Sequence, residues 1–484
     1  MARIERAQTG RYVEAFGALL IVLILIKQMF VSTTMGWNTV LHNMMCFGTM
    51  AQFALVFYCV YTRRGSGTAV RLASALLIWY VITRPILGDL DLSKSNEQLV
   101  LYVVYLCLMC YMASVSSASR KKALVVLISV VCAFNLAVCI GELYAAMHRT
   151  TVTLPLYIEI GMQEESGLNF VTLTRQHRNL SAQWNCLCFC LVIYLASLCR
   201  KKLWRIPFIL AAAAFYAAVA ISLSRTTMIT LAVAAAMLVM LAVDKYVREK
   251  RTAVRVAALA AAVIIVTPLS YKSFDLIGTA VEKLSSSVTA ATEVETVPQT
   301  APSEEKTAAG EPSAQETAVQ DGQAMFTDVR GTENVKALGG RTLVWKSIYT
   351  TLRLEPHRLL YGGLTDEYMS AINIIIAHED PLAVVKHTHN VFLETLMLTG
   401  LPGLLLALAF TLILLWRMVR VFFAAGAELS VKLLTLPLAT VLLKNMGEAT
   451  LLRYDDITNY VFFLAAGAFL VFSYELFPEK SRKK

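Results

Sequence analysis

Apolar residues come along most of this chain in runs of about 20, the length a helix needs to cross a bilayer. The runs fall near 13–31, 40–61, 69–88, 98–115, 123–146, 181–199, 206–223, 226–243, 253–270, 391–415, 431–447 and 457–477. They predict an all-α membrane protein with about twelve transmembrane helices. The first run is itself long enough to span and others follow, so it reads as a span and not as a cleaved leader. Between the ninth and tenth runs lies one large polar loop, which divides the chain into 1–270, 271–386 and 387–484.

That loop has two halves. From about 285 to 323 it is Thr, Ala, Glu, Ser and Pro with almost no large apolar side chain, so it is expected to be disordered. From about 326 to 386 helical spacing returns: Val344, Ile348 and Leu352 recur on one face, Glu355 and Pro356 stop that helix, Leu359 to Gly363 make a turn, and Tyr368 to Ile376 read as a second amphipathic helix. This half is expected to be ordered and to cover one mouth of the bundle.

Basic residues fix the expected orientation. Arg63 and Arg64, Arg120, Lys121 and Lys122, Arg200, Lys201, Lys202 and Arg205, Lys245 to Arg251, Arg417 and Arg420, and the cluster at 480–484 all fall on one side of the alternation. Basic loops stay cytoplasmic. Both termini are therefore expected inside, and 87–97, 148–180, 271–386 and 445–456 outside. A chain that is 57% hydrophobic and 16% charged, with a mean hydropathy of +0.59, is not a soluble domain. The net charge of +10 sits in those loop clusters and not on one face, which argues against a nucleic-acid partner. The 10 cysteines lie in or beside apolar runs. Even the Cys107 and Cys110 pair falls mid-span with no βαβ pattern, so they read as small core residues.

Candidate chemistry gathers where the tenth run begins: Lys386, His387, Thr388, His389, Asn390, Val391, Phe392, Leu393, Glu394, then Gly400, Leu401, Pro402 and Gly403. A polar cluster at a helix entry has free N–H groups and the positive end of the dipole, which suits an anion such as a diphosphate. An imidazole there can take a proton from a hydroxyl, and Asn390 is placed to cap the helix with Glu394 four residues on. The pattern His-x-His-Asn-x-x-Leu-Glu closed by Gly-Leu-Pro-Gly resembles the signature of the O-antigen ligase and polymerase superfamily of bacterial membrane glycosyltransferases. Ser224-Arg225 at the outer end of the eighth span resembles a second signature, although an arginine snorkelling to the interface is the plainer reading. Gly339, Gly340, Arg341 and Trp345 resemble the segment leading to the histidine motif. Arg175 and Arg178, with Asn179 and Asn185, resemble loosely a loop that carries an arginine and an asparagine in relatives; an ordinary polar loop is the alternative.

The resemblance implies an enzyme that moves a glycan from an undecaprenyl diphosphate carrier to the hydroxyl of a glycan or glycolipid acceptor outside the cytoplasmic membrane, in surface polysaccharide or lipopolysaccharide synthesis. It implies His389 as general base and Arg225, Arg341 and Arg178 as diphosphate ligands, with Asn390, Glu394 and His387 in support. No cofactor or metal is expected: His387 and His389 lack a third ligand, Asp89 and Asp91 are two common residues in a loop, and no phosphate-cradling glycine motif for a nucleotide is present. The alternative is a transporter or flippase of lipid-linked oligosaccharide, against which stand the few charges within spans and the absence of an internal repeat.

Overall fold

The structure is a computed structural model that describes residues 15, 17–23, 26, 67–86, 95–154, 158–165, 168–173, 178–250, 252–295, 333–363, 365–379, 388–449, 451 and 456–478. Its helices are α1 (Thr68–Ile86), α2 (Ser95–Ser114), α3 (Ser117–His148), α4 (Arg178–Leu198), α5 (Ile206–Ile221), α6 (Arg225–Val247), α7 (Thr252–Glu295), α8 (Glu333–Leu354), α9 (Arg358–Tyr361), α10 (Thr365–Glu379), α11 (Val391–Phe422), α12 (Leu429–Leu433), α13 (Thr435–Asn445) and α14 (Ile457–Leu476). Among the described residues, seven helices are long and apolar enough to cross a membrane, and α1 and α2 contain shorter apolar stretches, Thr68–Thr83 and Leu101–Ser114. The expected run at 40–61, and all but the residues at 15, 17–23 and 26 of the run at 13–31, lie outside the described residues. The run at 431–447 is built from α12 and α13, which part at Leu434.

The helices pack in pairs: α4 on α5, α6 on α7, α1 on α11 and α2 on α14, the helices of this last pair running parallel, with Tyr105 beside Tyr460 and Met109 beside Gly467. The innermost is α14, buried along most of its length from Ile457 to Ser473, together with α2 and α4. The outer helices leave apolar side chains such as Ile264, Leu269, Leu412 and Trp416 exposed, as a lipid-facing surface requires.

Polar cross-links gather at the two ends of the bundle. At one end Arg120 donates to Met112 O (2.7 Å) and Val115 O (3.0 Å), Arg417 donates to Phe477 O (2.7 Å), and Asp244 pairs with Arg248 (2.8 Å) and Arg255 (2.6 Å). The other end holds Asn179, Ser224, Arg341, His389, Lys444 and Glu448. The basic loops and the histidine motif therefore sit at opposite ends.

Two features depart from a simple bundle. The first is an antiparallel sheet of β1 (Val152–Leu154), β2 (Ile158–Glu165) and β3 (Leu168–Leu173), paired Val152 with Ile160 and Ile160 with Leu173, where the sequence suggests only a polar loop. The alternation Ile158, Ile160, Met162 is the strand signal. Buried Ile160 seats the sheet on Gly141 of α3, where an added Cβ would lie 2.5 Å from Ile160 Cδ1. The second is the length of α7: 44 residues rise about 66 Å, roughly twice a bilayer core. Beyond Pro268 its buried residues are Phe274, Gly278, Val281 and Ser285, a helical spacing that keeps one face packed, and Arg149 donates to Ser285 Oγ at 3.0 Å. Of the stretch 285–323, residues to Glu295 continue this helix and 296–323 lie outside the described residues.

α11 is two helices joined by a kink. Gly400 has φ 69 and ψ −172, a conformation essentially confined to glycine, and Pro402 follows with no N–H to give. The carbonyls freed by the break find other donors: Gly363 N–H reaches Met397 O at 2.8 Å and Trp79 Nε1 reaches Thr399 O at 2.7 Å. The turn after α9 plugs the gap. Gly362, at φ 78 and ψ −151, lies so close that a Cβ would sit 2.3 Å from the Leu398 carbonyl carbon, and a Cβ on Gly400 would sit 2.5 Å from Leu360 O. Around this interlock α8, α10 and the first half of α11 share a separate small core of Val344, Ile348, Met369, Ile372, Ile376, Met397 and Leu398.

Candidate functional site

The site begins with how α11 starts. Asn390 is extended at φ −158, and its Oδ1 accepts from the N–H groups of Phe392 (2.9 Å) and Leu393 (3.2 Å), which caps the helix. One turn in, buried Glu394 reaches back: its Oε2 accepts from Thr388 N (3.1 Å) and Thr388 Oγ1 (2.9 Å). Trp345 Nε1 on α8 holds Thr388 O at 3.2 Å, and Asn390 Nδ2 donates to Met446 O at 3.0 Å. These bonds fix the backbone on both sides of His389, which sits in the left-handed region at φ 56, a conformation histidine adopts more readily than most residues. The imidazole faces Glu448, with Nδ1 3.5 Å from Oε2.

Glu448 is the hub. It lies in the turn after α13, is 4% exposed, and takes Asn179 Nδ2 at 3.0 Å and Arg341 Nη2 at 3.2 Å on Oε1. Asn179, on the first turn of α4, in turn accepts from Ser224 Oγ at 2.8 Å, and Ser224 contacts Thr227 Oγ1 at 2.9 Å. Lys444, 1% exposed at the end of α13, donates to Asn179 O and to Thr227 Oγ1 (3.0 Å). Gly447 lets the turn approach: a Cβ there would lie 3.1 Å from Thr226 Cγ2 and 3.5 Å from Arg341 Nη1. The starts of α4, α6 and α11 thus meet one face of α8 and the end of α13. Their N-terminal dipoles add positive potential to the cations, so a buried carboxylate and an imidazole stand in a field built for an anion.

The structure brings His389, Asn390, Arg341 and the Ser224 to Thr227 tip together. Arg225, partly exposed, is the first residue of α6 within that tip. Arg178 opens α4 beside Asn179, with its side chain outside the described residues; His387, Arg175, Asp89 and Asp91 lie wholly outside them. Glu394 acts on Thr388, the residue before His389. Asn185 belongs elsewhere: its Nδ2 donates to buried Glu142 of α3 at 2.8 Å, which Ser181 also holds. Among the described residues no group of three or more histidine, cysteine or carboxylate side chains is arranged to hold a metal ion.

Sequence reasoning missed Glu448 and Lys444. A lysine within an apolar run followed four residues later by a glutamate was the available signal, since an ionisable residue in a span is costly unless paired. Nearby, Asp456 caps α14 by accepting from Thr458 N (3.1 Å) and also accepts from Trp184 Nε1 at 2.5 Å. Burial pushes its carboxyl up to about 6, against the lowering effect of those hydrogen bonds.

Beneath Asn390 and Met446 lies an apolar cavity of about 500 Å³, bounded at this end by Val391, Phe392 and Met446 and deeper by Leu77, Tyr105 and Phe410. It runs from the polar cluster into the span region. Residues 208–408 match the family described as O-antigen ligase, a stretch that includes Ser224, Arg225, Arg341, His389, Asn390 and Glu394 and excludes Asn179, Lys444 and Glu448. No curated protein matches the chain.

Proposed function

We infer from the match of residues 208–408 to the O-antigen ligase family that this membrane protein transfers a glycan from a polyprenyl diphosphate carrier, of the undecaprenyl type, to an acceptor hydroxyl. The acceptor O–H gives its proton to His389 while its oxygen bonds the anomeric carbon. The bond from that carbon to the carrier phosphate breaks, and the lipid diphosphate leaves with the electron pair. Arg225, Arg341 and Arg178 bind the diphosphate and offset the charge that grows on it, and Asn390 and Glu394 hold the turn that aims the imidazole. No metal takes part in this scheme.

The observation that carries the reading is the meeting of His389, Arg341 and the Ser224 to Thr227 tip at Glu448, three segments far apart along the chain. The cavity of about 500 Å³ supports it, because a lipid tail needs an apolar channel next to the cations that take its head group. The basic loops at the opposite end favour a cytoplasmic location for that end, which puts the chemistry on the outer face of the cytoplasmic membrane and both termini inside. The test is purified protein given lipid-linked glycan and acceptor: glycosylated acceptor and free lipid diphosphate in equal amounts are expected. Movement of the lipid across a bilayer without bond transfer refutes the reading.

A further inference from the structure

The reaction just described gives Glu448 no part, yet the site is strung on it. Its oxygens divide the neighbours. Oε1 takes Arg341 Nη2 (3.2 Å) and Asn179 Nδ2 (3.0 Å), while Oε2 faces His389 Nδ1 at 3.5 Å. Arg341 gives only Nη2 to the buried carboxylate, and turning the whole guanidinium fork onto a diphosphate, for two parallel hydrogen bonds, loosens that pair. A carboxylate that loses a cation in a nearly dry pocket is costly until it finds another donor. Beside its other oxygen stands the imidazole, whose 3.5 Å separation needs a closure of only about 0.5 Å to become a hydrogen bond.

We propose that Glu448 is a positioning residue that changes partners during the reaction: it restrains Arg341 while the site is empty, and passes to His389 Nδ1 when a lipid diphosphate draws Arg341 away. A carboxylate on Nδ1 assigns the proton of the neutral imidazole to that atom, so that Nε2 receives the acceptor proton, and the imidazolium that forms is paired at once. Lys444 stays bonded to Asn179 O and Thr227 Oγ1 throughout, a fixed cation within electrostatic reach of the carboxylate. The base is therefore fully set only when the donor is bound. This inference rests on the proposed glycan transfer.

The exchange makes Glu448 oppose carrier binding and favour turnover, a split that no purely structural role produces. For Glu448→Gln, the dissociation constant of a polyprenyl diphosphate without glycan is expected to fall by about threefold to tenfold, and kcat for transfer by about tenfold to a hundredfold. Glu448→Asp, which keeps the charge, is expected to restore the parent affinity and part of kcat. In an Arg341→Ala background the Gln substitution should no longer tighten binding. Gel filtration in detergent identifies variants that fail to fold, and Glu448→Ala, which removes the same carboxylate and is expected to tighten carrier binding likewise, then carries the comparison. Binding by Glu448→Gln that is equal to or weaker than the parent's overturns the exchange, as does a parent-like kcat. Because carrier binding is measured with no acceptor present, a parent that binds but does not transfer defeats the functional reading separately.

Discussion

Replacing Gly400 by alanine tests how the histidine helix is held. At φ 69 and ψ −172 a side chain meets a backbone strain of about 1–3 kcal/mol. The new Cβ would also lie 2.5 Å from Leu360 O and 2.9 Å from Leu359 O, backbone atoms with no rotamer to change. The turn after α9 must withdraw, which gives up the bond of Gly363 N–H to Met397 O, worth about 1 kcal/mol. The sum is a loss of about 2–4 kcal/mol, which for a chain of 484 residues is a fall in melting temperature of about 2–4 °C. Gly362→Ala strikes the same contact from the other side, with its Cβ 2.3 Å from the Leu398 carbonyl carbon. The double variant is therefore expected to lose clearly less than the sum of the two single losses, since a turn already undocked can be undocked only once. Thermal unfolding of all four proteins in one detergent reads this directly. A Gly400→Ala protein within about 1 °C of the parent, or strictly additive losses, refutes the interlock.

Two further predictions concern the polar layer. Asp456 titrates near 6 when folded because it is buried, above the value of about 3.9 in an unfolded chain. The native state thus binds more protons between those limits, and stability is expected to fall by about 3 kcal/mol as pH rises through that window from about 4 to 6; Asp456→Asn, which keeps an acceptor for Trp184, should flatten the melting temperature over the same range, and an unchanged slope contradicts the assignment. Asn390→Ala removes the cap on Phe392 and Leu393 and the bond to Met446 O, and is expected to cost about 1–2 kcal/mol, while Asn390→Asp, which keeps the capping oxygen, retains most of that stability in the same unfolding measurement.

Helices were legible in the sequence wherever burial and lipid exposure both select apolar side chains, because a run of about 20 such residues has no other stable use. α3, α4, α6 and α14 follow their runs closely for that reason. The sheet at 152–173 was not legible from polarity, because alternating Ile158, Glu159, Ile160 and Gly161 averages to a mild hydropathy while specifying a strand. α7 extends past its apolar run because one buried residue every three or four suffices to hold a helix against its neighbours. His389 and Asn390 could be read locally, since a cap and a helix entry are properties of adjacent residues. Glu448 could not: its partners Asn179, Arg341 and His389 lie 269, 107 and 59 positions away, and only the fold brings them to one carboxylate.

The central claim is that the imidazole of His389 takes the proton of an acceptor hydroxyl beside a bound lipid diphosphate. Its most direct test is single-turnover transfer by His389→Ala with saturating lipid-linked glycan, alongside binding of the same donor. The account predicts a rate lower by about a hundredfold to ten-thousandfold with donor still bound at saturation, though more weakly than by the parent because Glu448 then has no imidazole to turn to. Parent-like transfer by that folded, donor-bound variant contradicts it.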